Sequence, residues 1–391
     1  MQPTEFLAHA RQYLQTHIAP FAETIETAES FPRDYLAVLG AERAFGVAIP
    51  ETQGGWGLSC EVLRDLIFQV GLLSPTLAVV MGIPVFTTHL VASHGQGRMI
   101  EDLLPRLIRG EALCAFAYSE LKARDSGGFV TRALPAGDGY VLSGEKNLIS
   151  LAGVADYYLV AATLQRDEHA SRPAVFLIPK DRKGVRFSPP RAKMAFPGLV
   201  LADVFLDEVR VGAEEMLGRP GWGLKIANEG LQLGRLCVGT VALAMSQTML
   251  EASVRHARQP RGSGRLADWQ TVQFALAEMK LDVEACRGLI NEAWRQWAEG
   301  GEERNQAVAL AKIYASRAAL NVANRALQLA GGTGYLQGHP WERWFRQARV
   351  FSLVEGSDEF LLDALANRLL GSLGAETRKP GEENGDVRAG T

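Results

Sequence analysis

The sequence has few of the features that mark metal-stapled, nucleic-acid-binding or membrane proteins. Four cysteines are scattered through 391 residues without a Cys-x-x-Cys pair, which argues against a structural zinc site and a disulfide scaffold. Lysine and arginine number 41 against 44 acidic residues, so the net charge of −3 leaves no basic surplus for nucleic acid. The best apolar run, residues 77–86, is about half the length that a membrane-spanning helix needs.

Signals for secretion, metal binding and two common catalytic designs are also missing. The first residues lack the basic and apolar segments of a secretory signal, so a cytoplasmic globular protein is expected. The seven histidines form no HxxH or HExxH pattern, and His89 and His94 are five residues apart, which does not place them on one helix face. Neither a GxSxG elbow nor a GxxxxGK[ST] phosphate loop occurs. The sequence therefore predicts no metal site.

What the sequence does contain is a change of pattern that divides the chain into three regions. Residues 1–112 carry apolar side chains at helical spacing, and residues 113–213 carry short β-rich runs between turn signals. The short spacing leaves no room for helices between the strands and predicts an antiparallel β unit. Residues 214–373 return to long helices, with apolar stripes along residues 272–283 and 307–329 that fit a bundle. The polar residues 374–391 are expected to form a disordered tail.

Three motifs each allow a structural and a functional interpretation. Residues 330–335 (AGGTGY) either end a helix or let the backbone approach a flat or anionic ligand closely. Glu355, in VEGS, is either a solvated residue at a helix start or a partly buried base with a raised pKa. Ser119 and Ser126, in a segment rich in small and hydroxyl residues, either form local turns or bond a ligand. Taken one at a time, these motifs favour the structural interpretation.

Taken together and in order, five segments resemble the acyl-CoA dehydrogenase family, whose members use FAD. They are IPETQGGWGLS, FAYSELKARDSGGFVTRA with GYVLSGEKNLISLAGVAD, MLGRPGWGLKIANEGLQLGR, WQTVQFALAEM and QLAGGTGYLQGHPWERWFRQARVFSLVEGSDEF. The match runs from about residue 6 to residue 373. It implies a mostly α, α+β fold with an N-terminal helical domain, a small antiparallel β-barrel-like domain and a C-terminal four-helix bundle. It also implies homodimers or homotetramers that share FAD across an interface.

The resemblance implies α,β-dehydrogenation of an acyl thioester. In the family a carboxylate takes the α proton while the β hydrogen leaves as hydride to flavin N5, and the electrons pass to an electron-transfer flavoprotein. By position, Glu355 is this base. Some members carry the base on a bundle helix, directly before an arginine that matches Arg235, but this chain has Gly234 there, which has no side chain to act. Arg124 and Arg235 are expected near the substrate.

The same resemblance assigns residues to FAD by position. The hydroxyls of Ser119 and Ser150, with backbone groups of Tyr118 and Ile149, are expected at the flavin ring. The other positions that match FAD contacts are Arg261, with Arg258 as the alternative for this arginine, Gln270, Gln328, Gly331, Gly332, Ser357 and Glu359. The segment that contains Gln328 matches one that reaches the FAD of a neighbouring subunit.

Departures from the family pattern leave alternatives open. The changed positions are Leu148 in place of a tryptophan, a shortened loop at Ala123-Arg124-Asp125, no aromatic residue after Arg261, and Arg346-Gln347 in place of an Arg-Asp pair. Lys122 and Arg124 could pair with the phosphate of coenzyme A or with acidic residues of an acyl carrier protein. Acyl-CoA is therefore the preferred substrate and an acyl carrier protein the alternative. A flavin oxidase or monooxygenase, and a binding module that has lost flavin, are the competing functions.

Overall fold

The computed structural model describes residues 2–121, 129–165, 171–301 and 303–376, and its elements follow the predicted order of helices, strands and helices. Within those residues the N-terminal region contains six α-helices. They are α1 (Pro3–His17), α2 (Ala22–Thr27), α3 (Arg33–Ala41), α4 (Cys60–Leu73), α5 (Pro75–His94) and α6 (Leu104–Ile108).

Helix α5 shows how local sequence places an element at the centre of the molecule. Ser74 accepts a hydrogen bond from the amide of Leu77 and so caps the helix, and Pro75 occupies the first turn, where a backbone N–H is not required. The helix is apolar on all sides, as expected of a helix that is buried on all sides. It packs against α4 and against the helices and strands that follow.

The middle region forms one curled sheet, which in the described residues has seven strands. They are β1 (Cys114–Ala117), β2 (Arg132–Ala136), β3 (Gly139–Ser150), β4 (Tyr157–Gln165), β5 (Ser171–Pro179), β6 (Val185–Phe187) and β7 (Leu201–Gly212). The strand order is β1-β4-β2-β3-β7-β6, and β5 also pairs with β4. The longest pairing, β3 with β7, is antiparallel and has register shifts near residues 143 and 147–148. These shifts bend the sheet next to the site described below.

Two pairings correct the prediction of a purely antiparallel unit. Strand β4 runs parallel to β1 and to β2, while its pairing with β5 is antiparallel. Strands β1 and β4 are separated by 39 residues rather than by a hairpin turn, so no tight turn forces them to run in opposite directions. The remaining pairings are antiparallel, as predicted.

The C-terminal region is the expected helical bundle. Its helices are α7 (Gly223–Arg258), α8 (Gln270–Glu299), α9 (Arg304–Gly334), α10 (Pro340–Val350) and α11 (Asp358–Glu376), and a short hairpin of β8 (Pro260–Arg261) and β9 (Gly264–Arg265) joins α7 to α8. Helix α7 contacts α4, α5, α8 and α9, which makes it the central helix of the fold. The mostly α, α+β fold predicted from the sequence is confirmed.

Two details of the bundle differ from the pattern in the sequence. The paired glycines do not end α9: Gly331 leaves the helical conformation, with φ 65° and ψ −156°, and the helix continues to Gly334 as a kinked segment. Helix α11 continues to Glu376, so the first three residues of the expected tail are helical. Residues 377–391 lie outside the described part of the chain.

Helices α5 and α7 are long and apolar enough to cross a membrane when length and composition alone are considered. In the fold, however, 78% of the most apolar window of α5 and 83% of that of α7 are buried inside the protein. These windows are buried because the two helices pack against each other and against the surrounding elements.

Candidate active site

A partly open cavity lies where the three regions meet, with about 550 Å³ of space between atoms, including the part that opens to solvent. Helix α5 contributes one wall and helix α7 the facing wall. Ser150 at the end of β3, Phe196 and Leu199 before β7, and residues from 350 to 355 at and after the end of α10 complete the lining. The side chains on α5 and α7 are small or apolar, among them Ala78, Gly82, Phe86, Gly234, Cys237 and Val241. Among the lining residues, all from the described part of the chain, Glu355 is the only charged side chain.

Glu355 lies in the base turn, the name used below for residues 351–358. Its backbone is in the left-handed region with φ 55°, and Gly356 follows with φ 88°. The carboxylate lies directly against Gly234: a Cβ built on Gly234 would be 2.7 Å from Oε2 and 2.8 Å from Cδ of Glu355. The glycine therefore provides the space that the carboxylate occupies. The Glu355 carboxylate could not occupy this space if position 234 carried a side chain.

The surroundings of Glu355 suit it to proton transfer near neutral pH. Burial in the apolar cavity raises the pKa of Glu355 to about 7, although the positive charges of Arg235 and Lys312 act in the opposite direction. A general base is most effective when its pKa lies near the working pH. The functional interpretation of the VEGS motif is thus the one that fits the structure.

Buried polar side chains of α7 and α9 hold the base turn in place. Arg235 Nε donates to the backbone carbonyl of Glu355 at 2.7 Å. Lys312, whose side chain is fully buried, donates to the carbonyl of Gly356 at 2.8 Å and to Asp358 at 3.1 Å. Arg235, which the sequence placed near the substrate, thus lies behind the base and fixes its backbone.

Strained backbone is concentrated around the cavity. Of the six non-glycine residues with positive φ in the described chain, Phe196 and Glu355 line the cavity, and Leu148 and Leu151 lie on either side of Ser150. Leu148 is held in this conformation by a 3.0 Å hydrogen bond from its amide to Asp203. Such conformations cost energy and persist where the surroundings enforce them, which is common at functional sites.

The structure brings together the four residues assigned to the flavin ring. Lys146 Nζ donates to the carbonyl of Tyr118 at 3.2 Å, and the backbone N–H of Asn147 donates to the carbonyl of Ser119 at 2.8 Å. These bonds fasten Tyr118 and Ser119 to the end of β3, which carries Ile149 and Ser150. Because Ser150 lines the cavity with Glu355, these four residues and Glu355 face one space.

A second group, called the distal set below, lies elsewhere. It consists of Arg261, Gln270, Gln328, Gly331 and Gly332, all of them exposed. Arg261 bonds to His256 at 2.8 Å near the end of α7. From Gly234 to His256 the helix advances 22 residues, which is about 33 Å at 1.5 Å per residue. A single chain therefore does not bring the distal set to the cavity.

The remaining assigned residues have local or undescribed settings. Ser357 Oγ accepts a hydrogen bond from the amide of Phe360 at 3.3 Å and so supports the first turn of α11. Glu359 is exposed on that turn. Arg124, together with Lys122 and Ser126, lies outside the described residues.

Sequence reasoning missed the polar residues that support the base. Lys312 and Ser316 are buried on an α9 face made mostly of alanine and valine, and Ser316 Oγ donates to the carbonyl of Phe351 at 2.9 Å. A lysine within an apolar stripe is a signal that could have identified them. The spacing of His89 and His94 gave no reason to expect a shared partner. In the structure both rings contact Glu229, His89 at Oε1 (3.0 Å) and His94 at Oε2 (2.9 Å).

Comparison with known proteins places all three regions in one family. The models for the N-terminal, middle and C-terminal domains of acyl-CoA dehydrogenase match residues 2–111, 115–209 and 221–370. Two curated relatives are each 29% identical and cover 92% of this chain and 96% of their own length. They are a 3-(aryl)acrylate reductase of Clostridium sporogenes and an acyl-CoA dehydrogenase of Bacillus subtilis.

Solved structures of the same fold superpose closely. Butyryl-CoA dehydrogenase from Megasphaera elsdenii has a TM-score of 0.88 at 27% identity and covers 94% of this chain and 98% of its own. A glutaryl-coenzyme A dehydrogenase complex has a TM-score of 0.88 at 27% identity, with 99% and 98% covered. A prolyl acyl carrier protein oxidase has a TM-score of 0.87 at 25% identity, with 94% and 98% covered.

Proposed function

The chain belongs to the acyl-CoA dehydrogenase family, and we propose that it desaturates the Cα–Cβ bond of an acyl thioester with Glu355 as the base. As a member of this family it is an FAD-dependent oxidoreductase that acts on a CH–CH group. The observation that carries the mechanism is the carboxylate of Glu355 against Gly234, in the cavity that Ser150 also lines.

The residues at the end of β3 fit FAD. The strained backbone at Leu148 and Leu151 presents Ser150 to the cavity, and the bonds from Lys146 and Asn147 fix Tyr118 and Ser119 beside it. Bound there, FAD supplies the acceptor for the hydride that leaves the β carbon. Ser119, Ser150 and the backbone of Tyr118 and Ile149 are the groups proposed to hold its ring.

Glu355 is proposed to take the α proton. Its carboxylate must be ionised to do so, and with a pKa of about 7 it is half ionised near neutrality. Arg235 and Lys312 hold the carbonyls of Glu355 and Gly356, so the carboxylate is presented by a fixed backbone rather than by a flexible loop. The proton then remains on the Glu355 carboxyl until product leaves and water re-enters.

The apolar lining of the cavity supports this chemistry in a second way. Ala78, Ile83, Phe86 and Val241 offer no polar group to hold water beside the acyl chain. A site without water strengthens the electrostatic interactions inside it and protects reactive intermediates. Glu355 also argues against an oxidase or monooxygenase on this fold, because those enzymes often lack this base.

The proposal includes a homo-oligomer, and two observations support it. The distal set is exposed and lies far along α7 from the cavity, so it can complete an FAD site only in a neighbouring subunit. Three large apolar side chains are also exposed at α8: Trp269, which directly precedes the helix, and Phe274 and Leu281 within it. These side chains are 67%, 59% and 69% exposed, an apolar surface that fits a protein contact.

The test is anaerobic mixing of the purified protein with acyl-CoA thioesters while the flavin absorbance is followed. We expect a yellow protein whose flavin bleaches, and an electron-transfer flavoprotein that restores the colour. A colourless protein would indicate a binding module instead. Rapid oxygen consumption during turnover would indicate an oxidase. Presenting the same acyl group on coenzyme A and on an acyl carrier protein distinguishes the two carriers, and coenzyme A is the one proposed.

A further inference from the structure

The far end of the cavity is closed by three helices in contact. Gly71 of α4 lies against α5 and α7: a Cβ built there would be 2.8 Å from Ala244 Cβ, 3.7 Å from Ala78 Cβ and 3.8 Å from Val241 Cα. Ala78 and Val241 are also part of the cavity lining. The groove between α5 and α7 therefore ends at this contact, and a linear ligand that enters from the Glu355 end meets it there.

The distance from the base to this closed end follows from helix geometry. Gly234 lies against Glu355, and Val241 is seven residues further along α7, which corresponds to about 10 Å at 1.5 Å per residue. Helix α5 runs in the opposite direction beside it, since Leu90 reaches Gly230 and Gly82 reaches Cys237. The two helices thus define a channel of limited length.

The middle of the channel is narrow. A Cβ built on Gly82 would be 3.3 Å from Cys237 Cβ, so α5 and α7 approach closely here and leave only a narrow passage beside this contact. A linear chain fits such a passage better than a branched or ring-bearing one. Gly82 and Cys237 are both in the cavity lining, so they determine its width beyond the reacting carbons.

Among the described residues that line the channel beyond Glu355, none could bind a charge at the end of the acyl chain. Beyond Glu355 the walls are Ala78, Val79, Ile83, Val238 and Val241, and burial raises the pKa of the Cys237 thiol, which keeps it neutral. A carboxylate or ammonium placed there would lose its water without gaining a partner, and that costs far more than burying methylene groups gains.

Resting on the function proposed above, we infer that the acyl group is an unsubstituted, linear aliphatic chain of short to medium length, up to about octanoyl. The length of this chain is limited by the distance from Glu355 to the closed end of the groove. A palmitoyl chain is longer than the channel between Glu355 and its closed end. A glutaryl group would place a second carboxylate in the apolar channel, which also contains the Glu355 carboxylate.

The experiment measures kcat/KM of the holoenzyme with butyryl-, hexanoyl-, octanoyl-, palmitoyl- and glutaryl-CoA. We expect palmitoyl-CoA to be at least about 10-fold poorer than octanoyl-CoA, and glutaryl-CoA at least about 100-fold poorer than butyryl-CoA, because neither added group finds a fitting site. Palmitoyl- or glutaryl-CoA among the best substrates would overturn the inference and leave the proposed function standing. Bleaching by none of the thioesters would reject the function itself and, with it, this inference.

Variants at the closed end sharpen the test. Val241→Leu fills the end by one methylene and should lower the ratio of octanoyl to butyryl kcat/KM by about 10-fold, while Val241→Ala should raise the rate with chains longer than octanoyl. Val254→Leu and Val254→Ala make the same changes on α7 outside the cavity and should leave the ratios unchanged. Flavin content and the melting temperature show that each variant is folded. If folded Val241 variants keep the wild-type ratio of octanoyl to butyryl kcat/KM, the inference is contradicted.

Discussion

The base turn and the distal set are built in opposite ways. The base turn is held by Arg235, Lys312 and Ser316, all buried, through hydrogen bonds of 2.7 to 2.9 Å to three of its backbone carbonyls. The distal set is exposed, and a side chain built on Gly331 or Gly332 would meet nothing within 4 Å. Under the function proposed above, the proton-transferring part of the site is complete within one chain, whereas the cofactor-binding part requires a second surface.

The largest expected effect tests the base turn directly. Glu355→Gln keeps the size of the side chain but removes the base, so we expect flavin reduction by the best acyl thioester to slow by about 10³-fold or more, in the range of general-base catalysis. Stopped-flow absorbance under anaerobic conditions measures it. Glu251→Gln, on the exposed face of α7, is the control and should reduce its flavin at the wild-type rate. A Glu355→Gln enzyme that bleaches as fast as wild type would remove Glu355 from the mechanism.

The next effect tests the distal set. Gly332→Leu should leave the chain folded, because the position has open space within it, but should strip most of the flavin by blocking close approach of the backbone to FAD. The ratio of flavin to protein after gel filtration measures the loss. Gly288→Leu places the same side chain in similarly open space on α8 and should retain its flavin. If Gly332→Leu retains all of its flavin, this segment does not contact FAD.

A smaller effect is expected from the support of the base turn. Lys312→Met removes the donor to Gly356 and one of the two positive charges that lower the pKa of Glu355. We expect flavin reduction to slow by about 10- to 100-fold, since positioning groups contribute less than the base itself, and the pKa in its pH profile to rise. Lys280→Met, on the exposed face of α8, should change neither quantity. A slower rate with an unmoved pKa would show that Lys312 positions Glu355 without changing its titration. An unchanged rate and pKa in the folded variant would assign Lys312 to folding alone.

The pH dependence follows from the same environment. Only the ionised carboxylate can take a proton, and with a pKa of about 7 its ionised fraction rises about 10-fold between pH 6 and pH 8. The rate of flavin reduction at saturating substrate should rise by a similar factor and then level off. A rate that is flat across this interval would show that bound substrate shifts the titration of Glu355 out of this range or that another group is the base.

The sequence allowed the order of the three regions to be predicted, because that order depends on local patterns. The assignment of Glu355 as the base came from the resemblance to the family and stays a prediction. Gly234 was informative without a structure, since a position without a side chain cannot carry a base. The parallel pairing of β4 with β1 and β2 was not predictable, because nothing in a strand of this kind indicates its partner. Lys312 and Glu355 are 43 residues apart, and only the packing of α9 under the base turn shows that the lysine supports it.

The last expected effect concerns stability, and its sign is opposite to that of the effect on activity. The pKa of Glu355 rises from its ordinary 4.5 in the unfolded chain to about 7 in the folded one, so the folded state binds the proton more tightly. Its contribution to stability is therefore full below about pH 4.5 and is lost as the pH rises through 7, by up to about 3 kcal/mol. Glu355→Gln cannot ionise and should melt a few degrees above wild type at pH 8, with little difference at pH 5. Calorimetry of both proteins at the two pH values, with Glu251→Gln as control, measures the change. A Glu355→Gln protein that melts below wild type at pH 8 would mean that the ionised carboxylate stabilises the base turn, in contradiction to the burial that makes it a base near neutral pH.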